Sequence, residues 1–259
     1  MTILFLVVLV DMLGFTIVIP FLTYFIQDLA SSQGISDIGS RDFWVGFVIA
    51  IYALAQFIFT PILGTLSDRF GRRPILMFGL ISNSIFFIVF GLSNSLEMAI
   101  IARFLSGAGN GNIAVARAYI GDISEPEQVA RRMGMIGAAF GLGFMIGPFL
   151  GGVLSDPADG IGGVFNTPFW ENYQYLLPCI FSSILSIISL IMAYFWLKES
   201  IQLDSTTGKI KDSSTNSIAK ITSDIIGVLS IPVISSLVLV NFLFYMAFSM
   251  MHGTFILYT

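Results

Sequence analysis

The sequence predicts an all-α membrane protein: six membrane-crossing helices in one bundle, followed by the start of a seventh. Three observations predict it. Of 259 residues, 56% are hydrophobic and 11% are charged, against about 25% charged in an ordinary soluble domain, and the mean hydropathy is +0.88. The apolar residues fall in long runs of about 20, the length that crosses a ~30 Å hydrocarbon core at about 1.5 Å per residue. Lysine and arginine cluster in alternate connections between those runs.

The first run, residues 3–26, is interrupted by Asp11, Gly14 and Pro20. It has no basic leader and no small-residue cleavage site, so it reads as span 1 rather than a signal peptide. A polar loop over 27–42 carries Asp28, Asp37 and Arg41, and span 2 covers 43–66 with Gln56, Thr60 and Pro61 as mild interruptions. Spans 3, 4 and 5 are expected at 75–93, 98–121 and 134–154. A Gly-, Pro- and Asp-rich loop over 155–174 leads to span 6 at 175–197. The polar segment 198–226, with Lys198, Lys209, Lys211 and Lys220 among Ser, Thr and Asp, reads as a flexible connector. Span 7 begins near 227–232 and runs to Thr259 in apolar sequence. The expected organisation is therefore a six-span bundle over 1–197, a connector over 198–226, and the incomplete start of a second bundle over 227–259.

Charge orients this bundle. The connections 2–3, 4–5 and 6–7 hold nine of the twelve Lys and Arg residues, and the opposite connections hold only Arg41. The positive-inside bias then places the amino terminus in the cytoplasm. The net charge of -4 carries no information about partners, because placement outweighs the sum in a membrane protein. Cys179 is the sole cysteine, which excludes an intramolecular disulfide and any zinc spacing. His252 is the sole histidine, and no metal cluster, nucleophile elbow or strand-borne Gly-rich loop accompanies it. An enzyme, a metal site and a nucleic-acid partner are not expected, nor is any bound cofactor.

The loop Gly64-Thr-Leu-Ser-Asp68-Arg69-Phe-Gly71-Arg72-Arg73-Pro74 organises the chain. Three arginines within five positions would each cost roughly 2.5–3.5 kcal/mol inside hydrocarbon, so the loop lies at a membrane surface. Gly71 permits a turn with positive φ, and Pro74 suits the first turn of the next helix. Asp68 is placed to pair with an arginine or a helix end. A plain topogenic loop would look similar.

Within the spans, ionisable residues are functional candidates by default. Asp11 sits about two turns into span 1, and Arg103 lies in the outer half of span 4. Both are expected to face an aqueous cavity; a satisfied structural carboxylate and a structural cation are the alternatives. Arg117 lies near enough to the surface to snorkel. Asp122 and Glu125, at the end of span 4, are placed to pair with the arginines of the 64–74 loop. His252 reads as a packed or interfacial histidine more readily than as part of a proton path.

Span 5 carries glycines at 134, 137, 141, 143, 147, 151 and 152, with Pro148 after Gly147. Gly143, Gly147 and Gly151 recur every four residues and make one smooth face, as close helix packing in lipid requires. Pro148 removes a helix hydrogen bond and is expected to kink the span. A smooth face beside a kink suits two bundles that rock against each other, although any GxxxG packing face would show the same spacing.

Four motifs resemble those of one family. Gly64-x3-Asp68-Arg69-x-Gly71-Arg72-Arg73 is similar to the loop between spans 2 and 3 of the major facilitator superfamily. Gly134-x8-Gly143-x3-Gly147-Pro148-x2-Gly151-Gly152 resembles the antiporter motif of that superfamily. Leu13-Gly14-x5-Pro20 resembles the span 1 motif of its twelve-span drug/proton antiporters, with Thr23 in place of a second proline. Arg103-Phe-Leu-Ser106-Gly107 resembles the span 4 motif, with Ser106 in place of the frequent glutamine. From span 1 through Gly152 the pattern is similar to the tetracycline/proton antiporters. Asp156-Pro157-Ala158 to Tyr175-Leu-Leu-Pro178 is more like zinc-induced-facilitator-type members.

The resemblance implies a major facilitator fold, with spans 1–3 and 4–6 as inverted repeats forming one half of a twelve-span transporter. It implies proton-coupled antiport of a small organic molecule by alternating access, with the proton gradient as energy source. Gly64, Asp68, Arg69, Gly71, Arg72, Arg73 and Asp122 would form the cytoplasmic gate. Arg103 would serve proton coupling, and the face of Gly134, Gly143, Gly147, Pro148, Gly151 and Gly152 would limit uncoupled leak. Asp11 is added as a proton or cation site because its charge needs a reason. Phe86 stands where tetracycline antiporters have an aspartate in span 3, which counts against tetracycline as substrate. A uniporter or symporter on the same fold, or a channel or receptor, are the alternatives. Completing a cavity requires a second bundle, from the rest of a longer chain or from a second chain; a fragment of a longer protein is the expectation.

Overall fold

The first helix, α1 (Thr2–Ser32), is aliphatic almost throughout and outruns its expected span by more than one turn. It stops at Gly34, whose φ of 83° is left-handed, and the Ile35 N–H returns to Ala30 O at 3.0 Å, a glycine-dependent helix stop. The structure, a computed structural model, describes residues 2–155, 167–200, 227 and 230–258.

Helix α2 (Ile38–Phe70) begins under Asp37, whose side chain accepts from Ser40 N. Its buried positions Val45, Val48, Tyr52 and Ala55 form a narrow helical stripe, while Leu54, Phe57, Ile58 and Ile62 are exposed. A helix apolar all round is one that lies in lipid or deep in protein. Gly71, at φ 103°, is the whole connection to α3 (Arg72–Gly91). Pro74 lies in the first turn of α3, where it sacrifices no intrahelical bond.

Span 4 departs from the single helix expected over 98–121. It is two helices, α4 (Leu96–Gly109) and α5 (Asn112–Ile123), separated at Asn110 and Gly111. Local sequence and packing both favour the break. Gly107, Gly109 and Gly111 are poor helix formers, and each lies where a Cβ would collide with a neighbour: Tyr52, Ser82 and Leu63 respectively. The broken backbone thus nests against α2 and α3.

Helix α6 (Pro126–Leu154) starts earlier than expected, with Pro126 in its first turn, and it runs on through Pro148. A short helix α7 (Pro168–Asn172) precedes α8 (Leu176–Trp196). Five described helices (α1, α2, α3, α6 and α8) are long and apolar enough to cross a membrane. With the two short helices of span 4 they make the six spans. They pack within one compact unit, Met1–Gln202. The second unit, Leu203–Thr259, contains α9 (Pro232–Tyr258), a helix within the residues where span 7 is expected. Residues 201–226, most of the expected connector, lie outside the described residues, as do Asp156–Ala158 and the side chain of His252.

Two apolar clusters build the core of the six-span unit. One joins Leu4, Val7, Val8 and Met12 of α1 to Leu76, Val115, Ile120, Ile136 and Leu197. The other joins Ile17, Phe21, Phe25 and Ile26 to Val45, Phe87, Phe90, Ala102 and Cys179. Polar side chains are buried in the same unit: Asp11, Asn83, Arg103, Ser106, Asn110, Asn112 and Ser183 among them. That polar set, and the charged turn at Gly71, carry the candidate chemistry.

Candidate functional site

The Gly71 turn is a latch that ties four helix ends. Arg72 Nη1 lies 2.6 Å from Asp68 Oδ1 and its Nε 3.0 Å from Asp122 Oδ2, and Nη1 also donates to Ser67 Oγ at 2.7 Å. Arg72 is the buried member, whereas the Asp68 side chain keeps 57% of its exposure and Asp122 30%. Water screens such carboxylates, so the pairs fix geometry more than they add stability. The expected pairing of Asp68 with an arginine, and of Asp122 with this loop, is what the structure shows. Glu125 instead accepts from Gln128 Nε2, and Arg69 is exposed with no ion pair among the described residues.

A residue that sequence reasoning missed completes the latch. Glu199, after the end of α8, accepts from the backbone N–H of Arg72 at 2.8 Å and of Arg73 at 3.1 Å. These are unsatisfied N–H groups at the positive end of α3, which a carboxylate stabilises. The fit requires Gly71, since a Cβ there would stand 2.5 Å from Glu199 Oε2. Beside it, Ser200 Oγ donates to Asp122 Oδ2 at 3.0 Å and Tyr119 Oη donates to Lys198 O at 2.8 Å. Arg73 donates to Tyr194 O and lies over the Tyr194 ring, 5.6 Å from its centroid. The chain leaving span 6 is thereby strapped across the latch. Gly64 has open space where a Cβ would stand, so nothing within this bundle demands glycine there.

Asp11 and Arg103 are both buried, at 1% and 6% exposure, but they form no ion pair. Asp11 Oδ1 accepts from Asn83 Nδ2 of α3 at 2.5 Å and from Asn112 Nδ2, on the first residue of α5, at 3.2 Å. Its other oxygen has no hydrogen-bond partner among the described residues. Arg103, on α4, places its guanidinium carbon 4.2 Å from the Phe90 ring centroid and 5.8 Å from that of Tyr52. A desolvated cation over an aromatic face gains about 2 kcal/mol, yet the Arg103 Nε lacks a partner among the described residues. Arg117 is exposed on α5, in keeping with a snorkelling cation.

The break in span 4 separates Arg103, on α4, from Asn112, the α5 residue that reaches Asp11. Asn110 Nδ2 donates to Tyr52 Oη at 2.7 Å, and Gln56 Nε2 donates to Asn110 O at 3.1 Å. Tyr52 and Gln56 are one turn apart on α2, so a single helix face clips the break. Irregular backbone at membrane depth survives only where protein satisfies its polar groups, and Gln56 does that for Asn110. Sequence reasoning set Gln56 aside as an interruption and overlooked Tyr52, Asn83, Asn110 and Asn112. The available signal was three asparagines inside apolar runs, two of them framing Gly111.

The glycine face of α6 meets α1. A Cβ on Gly143 would stand 2.7 Å from Met12 Cβ, and those on Gly147 and Gly151 would collide with Thr16 and Ile17. Thr16 Oγ1 lies 2.8 Å from both Met12 O and Gly143 O. The repeat at 143, 147 and 151 is therefore packed inside this bundle, as the close-packing alternative has it: Thr16 is small enough to let α1 and α6 touch backbone to backbone. Gly134 and Gly152 have open space at the Cβ position, and Pro148 is half-buried.

The sequence pattern described as Major Facilitator Superfamily matches residues 4–259. The chain is 37% identical over 177 residues to Protein ZINC INDUCED FACILITATOR 1 of Arabidopsis thaliana, covering 68% of this chain and 36% of that protein. It is 32% identical over 193 residues to Tetracycline resistance protein, class B, of Escherichia coli, covering 74% of this chain and 43% of that one. Among solved structures it resembles the human organic anion transporter MFSD10 (TETRAN), with a TM-score of 0.61 at 24% identity over 78% of this chain and 48% of that one. It also resembles a D-xylose-proton symporter, with a TM-score of 0.63 at 14% identity over 77% and 48%. The structural likenesses speak for the fold alone, and the chain spans less than half the length of these relatives. With six spans in the same arrangement and a sequence match along nearly its whole length, the chain belongs to the major facilitator superfamily and is a multi-pass integral membrane protein.

Proposed function

We propose that this chain is part of a secondary transporter that exports a small organic molecule in exchange for protons by alternating access. The single observation that carries this reading is Asp11: a carboxylate buried in mid-span, with no cationic partner among the described residues and one oxygen unmatched by them. A carboxylate kept in such surroundings has a use for a proton, because neutralising it removes the cost of an uncompensated charge. Arg103 is the second coupling residue, a buried cation whose aromatic surroundings leave it open to a new anionic partner. The latch at Gly71 acts as the gate on the cytoplasmic side, where the surplus of Lys and Arg places the amino terminus. Substrate and protons pass between this bundle and a second one, and no resident cofactor is needed, since the proton gradient supplies the energy. Relatives named for tetracycline resistance and as a zinc-induced facilitator support small-molecule export without naming the cargo.

The test uses the full-length protein in proteoliposomes under an imposed pH gradient. Substrate-dependent proton movement is expected in the unaltered protein and lost in Asp11→Asn and Arg103→Ala, with insertion unchanged. Normal pH-driven exchange in both variants sinks the assignment. Flux without counter-moving protons favours a uniporter, and inward co-movement a symporter.

A further inference from the structure

Hydrogen-bond donors and acceptors around Asp11 do not balance. Both amides that reach it, Asn83 Nδ2 and Asn112 Nδ2, donate to the same oxygen, Oδ1. Among the described residues, Asp11 Oδ2 is buried with no partner, and so is Oδ1 of Asn83, the acceptor on the very amide that holds Asp11. The cluster holds two orphan acceptors and lacks one donor. Among the described residues, the other buried ionisable side chains of this bundle are Tyr52 of α2, Arg72 of α3, Arg103 of α4, Tyr119 of α5 and Cys179 of α8. None of them hydrogen-bonds or ion-pairs with Asp11, and α6 presents Ile136, Ala139 and glycines as its buried face.

A carboxylic acid and a primary amide are complementary: the amide N–H donates to one acid oxygen while the acid O–H donates to the amide oxygen. One proton on Asp11 Oδ2 supplies the missing donor. We propose that Asn83 is the residue that reads the proton on Asp11, closing with the neutral acid as a two-bond pair and opening when the acid ionises. This rests on Asp11 being the proton carrier and adds its partner. The proton comes from water and returns to water, Asp11 passes between charges of −1 and 0, and no other bond is made or broken. In the ionised state the Asn83 carbonyl oxygen faces a like partial charge and turns away, leaving Asn112 as the principal donor.

That exchange reaches the break in span 4. Asn112 is the first residue of α5, and its amide lies against bare backbone at Gly79, where a Cβ would stand 2.7 Å from Asn112 Cγ. A side chain so confined moves together with the start of its helix. Asn83 and Asn112 therefore act as positioning residues that convert the charge of Asp11 into a pull on α5, at the point where the backbone is already interrupted.

The test is infrared difference spectroscopy of the full-length protein in lipid nanodiscs across a pH titration. Asp11→Asn assigns the carboxylic C=O band: if no band is lost, Asp11 carries no proton, and the transport reading fails together with this one. With the band assigned, Asn83→Leu is expected to move it to higher frequency, because the amide N–H that weakens the acid C=O bond is gone. Asn83→Gln, which keeps an amide at a longer reach, is expected to restore part of the shift. A band at the wild-type frequency in both Asn83 variants overturns the pair while leaving Asp11 as carrier. Where Asn83→Leu fails to insert, isotope labelling of asparagine side-chain carbonyls in the unaltered protein gives the answer. An asparagine band that moves in step with the Asp11 band supports the pair, and one that stays fixed refutes it.

Discussion

Arg72 and Arg103 are two buried arginines of one bundle, held in opposite ways. Arg72 sits at a helix end between Asp68, Asp122 and Ser67, with Glu199 bonded to its backbone. Arg103 sits in mid-bundle over the rings of Phe90 and Tyr52, without a carboxylate. Asp11, the anion of the same interior, is held by amides and without a cation. Near a surface the chain answers charge with opposite charge, and water relieves whatever is left over. In the interior cation and anion are not paired with each other: the cation is on α4, and the anion is bonded to the first residue of α5, past the break at Asn110 and Gly111. A charge with a fixed ionic partner is a fastening; a charge held by neutral groups keeps its response to a proton or an anion.

Replacing both arginines by methionine breaks or sharpens this comparison most strongly. Arg103→Met is expected to abolish pH-driven exchange while thermal stability in detergent holds or rises, because an unpaired buried charge gives way to an apolar side chain. Arg72→Met is expected to lower stability by about 1–2 kcal/mol, discounted from a fully buried pair because its carboxylates are half in water. Equal losses of stability in the two variants would erase the distinction.

A smaller effect is expected at Glu199. Glu199→Ala removes the acceptor for two N–H groups at the start of α3 and costs about 1 kcal/mol, the usual worth of a helix cap. Amide hydrogen exchange at Arg72 and Arg73 reads it directly: faster exchange at those two positions supports the strap, and unchanged rates remove it.

The smallest is at the opposite end of α2. Asp37 accepts from the backbone and side chain of Ser40, which holds its carboxyl below the usual carboxylate range. A depressed folded value means the cap contributes fully above the unfolded value and is lost as pH falls through the folded one. Exchange at the Ser40 amide is expected to speed up in acid, relative to its neighbours, in the unaltered protein but not in Asp37→Asn.

Much of the molecule was legible in the sequence. Apolar runs gave spans 1, 2, 3, 5 and 6 because length in hydrocarbon is a local property. The turn at Gly71 was legible too, since three arginines and a glycine announce a surface and a positive φ. The Asp11 cluster was not. Asn83 and Asn112 lie 72 and 101 residues from Asp11, and Glu199 lies 127 from Arg72. An asparagine in an apolar run announces a polar contact without saying with whom.

By itself the sequence determined that this chain lies in a membrane, which runs cross it, and which family it belongs to, because hydropathy, charge placement and motif spacing are read along one dimension. Only the tertiary structure decided that span 4 breaks at Asn110 and Gly111, that the glycine face of α6 is filled by Thr16 of α1, and that Asp11 answers to amides rather than to Arg103. Those outcomes depend on which helices come within touching distance. In a bilayer, where close fit and polar matching replace the hydrophobic drive between helices, that is settled by packing across the bundle.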